Sequence, residues 1–69
     1  MTNAIDRKVG ARIREQRIAL GMTEDELAKR IDMPGLRVRA IEEGTERAGA
    51  AILFKIAAAL GVHLSVFFE

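Results

Sequence analysis

The tightest constraint on the fold of this chain is the punctuation between Thr23 and Gly44, where two helix starts and two helix stops crowd together. Thr23-Glu24-Asp25-Glu26 has the form of a capping box: the threonine hydroxyl accepts an otherwise unpaired backbone N–H and Glu26 reaches back to the cap. A helix is therefore predicted from Glu24, with Leu27, Ala28 and Ile31 on its inner face. It cannot pass Asp32, because Pro34 disfavours helical geometry at Met33. Proline itself suits the first turn of the next helix, where its missing N–H would be unpaired anyway. That helix is predicted over residues 34–43, with Val38 and Ile41 inward and Gly44 as its stop. The segment thus has room for two short helices and a tight turn.

Helical periodicity continues on both sides. Over residues 5–20, Ile5, Val9, Ile13 and Leu20, with Ala11 and Ile18 beside them, recur at helical spacing before Gly21. Over residues 50–60, Leu53, Ile56, Ala57 and Leu60 do the same before Gly61. The tail, residues 62–69, alternates like a strand, but a lone strand has no partner, so a final helical turn closing the core is expected. With 69 residues the chain supports one core. The expectation is an all-α, compact bundle of five helices in a single domain, 1–69, with Leu27, Ile31, Val38, Ile41, Leu53, Ile56 and Leu60 in the core.

Composition removes several function classes. The chain has no Cys and one His, so thiolate metal sites and disulfides are excluded, and neither a metal, a cofactor nor a small-molecule ligand is expected. The longest apolar run, residues 48–54, is too short to span a bilayer, and Asp6, Arg7 and Lys8 stand where a signal sequence would be apolar. A cytoplasmic protein is expected. Thr23 and Ser65 read as helix caps, with no general base placed beside them, so no enzyme is expected. His63 reads as a partly exposed tail residue. Net charge is only +1, but Arg7, Lys8, Arg12, Arg14 and Arg17 crowd the first segment while Glu24, Asp25, Glu26, Glu42, Glu43 and Glu46 lie further along.

Two short helices joined by a tight turn are the DNA-binding helix-turn-helix arrangement, here spanning residues 24–43. With Arg12-Ile13-Arg14 in the first helix, Leu27-Ala28 in the second, Val38 and Ile41-Glu42-Glu43-Gly44 in the third, and Leu53, Ile56-Ala57 and Leu60 in the fourth, the chain resembles the phage repressor and Cro (XRE) family of transcriptional regulators along nearly its whole length. The opening IDRKVGARIREQRIALGM, Arg47 to Ala50 and the ending FFE resemble an alphaproteobacterial branch of it. The resemblance implies a lambda repressor-like fold and a sequence-preferring regulator of double-stranded DNA that represses transcription, acting as a homodimer, with the apolar tail as a dimer contact. One ring of the Phe67 and Phe68 pair is assigned to the core; the other is open between core and dimer contact.

The departures from the family pattern shape the expected site. Glu24 stands where the family has a glutamine that donates to a phosphate and braces the recognition helix, and an ionised carboxylate cannot donate. Asp32 replaces the turn glycine, which needs a left-handed backbone that Asp tolerates better than most residues. Gly35 and Leu36 occupy the base-reading front of the third helix, where leucine offers only contact with a thymine methyl. Base reading falls to Arg39, whose fork matches guanine O6 and N7, with Arg37 beside it. Arg14, Arg17, Glu24, Arg47 and Lys55 are the expected phosphate-positioning residues. Glu42 is expected to pair with a basic residue of the first helix. Two further readings stay open: a protein-interaction module that has kept the fold and lost DNA readout, and an antitoxin-like regulator.

Overall fold

Asn3 and Asp6 start the first helix: the Asn3 side chain accepts the Asp6 N–H at 3.0 Å, and the Asp6 carboxylate accepts the Asn3 N–H at 3.0 Å. This is a capping box like the one at Thr23, and it sets the helix going one residue earlier than periodicity alone indicates. The computed structural model describes residues 3–69 and contains α1 (Ala4–Ala19), α2 (Glu24–Arg30), α3 (Gly35–Glu43) and α4 (Ala50–Leu60), then a short 3-10 helix (Leu64–Phe68). The all-helical expectation holds among the described residues. The count of five α-helices does not, because the tail makes one tight 3-10 turn in place of a fifth. Its cap is His63, whose Nδ1 accepts the Ser65 N–H at 3.2 Å, rather than the expected Ser65.

The capping box at Thr23 forms as predicted, with both bonds at 3.0 Å. The threonine bonds hold the Glu26 carboxyl below the usual carboxylate range. α2 ends where Pro34 requires, and Asp32 takes the left-handed conformation in the turn at φ 57°. Pro34 is the N-cap of α3 at φ −64° and ψ 144°, one position ahead of the first helical turn to which the sequence assigned it.

The seven expected core residues are all buried, joined by Val9, Ile13, Met22, Ala28, Ala57 and Phe67. Phe67 is fully buried while Phe68 is half exposed, so the two rings separate as adjacent positions on a tight helix must. α1 differs from its expected orientation. Ile5, Ile18 and Leu20 are more than half exposed, and the inward stripe is Val9, Gly10, Ile13 and Arg17. Ala11 also faces solvent.

Gly10 explains how closely α1 approaches α3. A methyl group there would fall onto the backbone carbonyls of Ile41 and Glu42. Gly10→Ala should therefore lower stability by about 1–3 kcal/mol through overpacking, despite alanine's higher helix propensity. Gly49→Ala, at the N-cap of α4 with open space around it and a negative φ, meets no clash and should cost less, at most about 1 kcal/mol through the poorer cap. Thermal or urea unfolding of the two variants checks the contrast.

Candidate nucleic-acid interface

The second and third helices present a surface whose shape is set from below. Val38, Ile41 and Glu42 face the interior on α3, which by helical spacing turns Leu36, Arg39 and Glu43 outward together. Leu36 is 76% exposed, and Gly35 lies against the Asp25 carboxylate of α2, where any larger residue would have to displace that side chain.

Arg17 holds this surface in place. Its Nε donates to Glu42 Oε2 at 2.6 Å, its Nη2 to Glu42 Oε1 at 2.9 Å, and its Nη1 to the Met22 carbonyl at 2.7 Å. Both side chains are buried. The bond to Glu42, against the opposing effect of burial, keeps the Arg17 guanidinium protonated even more firmly than usual. Arg17 thus ties α1 to α3 and to the turn before α2. This corrects its assignment to a phosphate contact: a guanidinium occupied on both edges inside the protein is not presented to a ligand. It also supplies the partner expected for Glu42.

Above this clamp, Arg14, Arg17, Glu24, Arg39, Glu42 and Glu43 line a hollow of about 330 Å³. Arg39 Nε and Nη2 both donate to Glu24 Oε1, at 3.2 and 3.1 Å. That bond raises the Arg39 pKa, with the nearby Glu24 charge adding to it. Arg14 lies in the same hollow and is exposed. Arg37 points the other way, its Nε donating to Glu46 Oε2 at 2.8 Å.

The remaining expected contacts lie apart from this hollow. Arg47 pairs with Asp6 at the start of α1, at 3.2 Å. Lys55 borders a shallow depression with Arg30, Ile31 and Asp32. The structure therefore brings together Arg14, Glu24 and Arg39, with Leu36 and Gly35 at the front of α3. The residues missed from sequence are the partners, Asp6, Glu46 and the Met22 carbonyl. Only Asp6 carried a local signal, as an acid three residues after Asn3.

The helix-turn-helix family model matches residues 13–67. An uncharacterized HTH-type transcriptional regulator of Sinorhizobium medicae is 40% identical over 67 residues, 97% of this chain and 48% of that protein. An uncharacterized transcriptional regulator in the ATPase CF(0) region of Rhodospirillum rubrum is 38% identical, over 94% of this chain and 60% of its own length. Among solved structures, the restriction-modification controller protein C.AhdI of Aeromonas hydrophila superposes with a TM-score of 0.91 at 29% identity, covering 96% of this chain and all of its own. The chain belongs to this helix-turn-helix family. It spans about half the length of the Sinorhizobium relative. Among the described residues, no helix is long and apolar enough to cross a membrane.

If Arg17 and Glu42 orient α3, removing either partner leaves a buried, uncompensated charge. Arg17→Met and Glu42→Leu should each cost roughly 3–5 kcal/mol, while the double variant should recover most of that loss. Denaturant unfolding of the two single variants and the double variant tests this; additive losses would remove the coupling.

Proposed function

We propose that the chain is the DNA-binding module of a transcriptional regulator, seating α3 in the major groove of double-stranded DNA. One observation carries this reading: the buried Arg17–Glu42 clamp turns Leu36 and Arg39 of α3 to solvent, with Arg14 beside them. That is the placement a recognition helix needs, a rigid helix with its reading side chains outward. The similarity to two bacterial transcriptional regulators and the likeness to a controller protein support the same role. Arg39 reads guanine, Arg37 assists from the other shoulder of α3, and Leu36 and Gly35 pack against the groove. Arg14 is the phosphate contact nearest the hollow, with Arg47 and Lys55 further out. Nothing in this role calls for catalysis.

A protein-interaction module is the second reading, favoured by the exposed Leu36 and by the carboxylates already paired with Arg37, Arg39 and Arg47. Salt separates the two. If DNA is bound, the logarithm of affinity should fall linearly with the logarithm of salt concentration, at a slope near 0.9 per phosphate neutralised. Fluorescence anisotropy on a duplex pool at several salt concentrations measures it. Binding that ignores salt, or none at low salt, would favour the interaction module.

The module acts as a homodimer in this proposal. Phe54 is 69% and Phe68 52% exposed, and Phe54, Ala57, Ala58, Val62, His63 and Leu64 line an apolar hollow beside the 3-10 helix. A second copy covering this face would set two recognition helices on half-sites roughly 34 Å apart. Phe54→Glu should shift the chain to monomer in sedimentation equilibrium on a palindromic duplex while leaving the fold intact, because Phe54 is outside the core. An unchanged mass would place the contact elsewhere.

A further inference from the structure

A guanidinium offers two donor edges: Nε with one Nη2 proton, and the end formed by Nη1 with the other Nη2 proton. Arg17 fills both, with the Glu42 carboxylate on the first and the Met22 carbonyl on Nη1. Arg39 fills only the first. Its Nε and Nη2 converge on Glu24 Oε1, and its Nη1 has no partner among the described residues. The open end carries two parallel N–H groups, the geometry that matches guanine O6 and N7. The Glu24 to Arg39 pair also spans the two helices of the motif, so the guanidinium plane is referenced to both. The partner of Arg37, by contrast, is Glu46 in the turn after α3, a less rigid support.

We propose that Glu24 is a positioning residue for base reading: it braces the inner edge of Arg39 so that the outer edge faces a guanine already oriented. The inference rests on the DNA-binding role proposed above. The Arg39 side chain is 58% exposed, so the pair contributes little to stability. Its contribution is orientational, because an unbraced arginine must order a long side chain when it binds. Glu24 also places a negative charge near the phosphates, which weakens binding to every duplex. The charge penalty is the same on every duplex and cancels from discrimination, which rests on the brace alone: general affinity falls, the oriented contact favours the matched guanine, and Glu24 trades affinity for specificity.

The test begins with the full chain selecting its preferred duplex from a randomised pool. Dissociation constants are then measured on that duplex and on a copy with the contacted guanine replaced, for the wild type, E24A, R39A, R39K and the E24A/R39A double variant. The ratio of the two constants is read on one protein preparation, so a change in the folded fraction cancels. E24A, which removes the accepting oxygen together with the charge, should tighten binding to the replaced duplex and lower the ratio by about fivefold or more, the lower end of what a bidentate contact discriminates. R39A and R39K should both bring the ratio close to one, the latter because lysine keeps the charge and loses the fork. Adding E24A to R39A should then leave the ratio unchanged. A ratio preserved in E24A, with both duplexes bound more tightly by the same factor, would overturn the positioning role and leave DNA binding standing. So would an E24A effect on the ratio that persists without Arg39. A wild type with no preference among sequences would overturn both this inference and the specific DNA reading beneath it.

Discussion

The contact between Arg17 and Glu42 fixes the relation between α1 and α3, and the rest of the surface follows from it. Burying two charges costs several kcal/mol per ion, and that cost is offset only when the geometry is good and the other donors are satisfied. Both conditions are met: the carboxylate takes two parallel bonds, the third arm of the guanidinium has the Met22 carbonyl, and no buried side-chain polar atom among the described residues lacks a partner. A well-packed apolar pair could stabilise the fold as much, so the distinctive contribution of the ion pair is directional. Two bonds in one plane set the rotation of α3 about its own axis, and Gly10 sets its distance from α1. At roughly 0.05–0.15 kcal/mol of stability per residue, a domain this small has only about 3–10 kcal/mol in total. Losing one partner of the buried pair therefore removes a large share of that stability.

The same chemistry recurs at the surface in a weaker form. Arg37, Arg39 and Arg47 each meet a carboxylate from another part of the chain, but their side chains are 47%, 58% and 60% exposed. Solvent screening reduces such pairs to roughly 0–1 kcal/mol. They hold arginines in defined directions without committing them, whereas Arg17, enclosed, is committed. Exposure and the number of occupied guanidinium edges thus distinguish an arginine that builds the domain from one that is available to a partner. The small net charge of the chain fits this arrangement, since Arg12, Arg17, Arg37, Arg39 and Arg47 are each paired with an acid rather than gathered into a uniform basic field.

Local signals in the sequence were legible because they act over a few residues. The capping box at Thr23, the break before Pro34, the left-handed Asp32 and the inward faces of α2, α3 and α4 all follow from contacts within one or two turns. The face of α1 was misassigned for a physical reason: Ile5, Ile18 and Leu20 are more apolar than Gly10 and Arg17, yet the latter pair faces inward. Glycine is required there by a backbone approach from α3, and arginine by an acid 25 positions away. Neither cause is visible along α1. The candidate site shows the same division. Arg39 was identifiable from its place on α3, but its partner Glu24 lies 15 positions earlier, and Arg47 meets Asp6 across 41. Such pairings depend on the tertiary fold, which helical periodicity predicts only in outline.

The proposed interface is sparse, and that sparseness bears on how many copies must act. Leu36 and Gly35 offer the groove no hydrogen bond, so direct readout by one module rests on a single well-oriented arginine, assisted by Arg37. A good bidentate contact discriminates by about 1–3 kcal/mol. Specific complexes are typically about 4–10 kcal/mol tighter than nonspecific ones. One copy therefore falls short even at its upper limit, and a second copy on a symmetric half-site doubles the contribution to about 2–6 kcal/mol if the sites act independently. Two copies reach the lower part of that range, and the balance must come from duplex shape, which proteins read at positions they never touch. A sharp preference in solution would thus require a second chain, which in the proposed dimer covers the apolar face around Phe54 and Leu64, so the recognition chemistry at α3 and that exposed face are parts of one requirement.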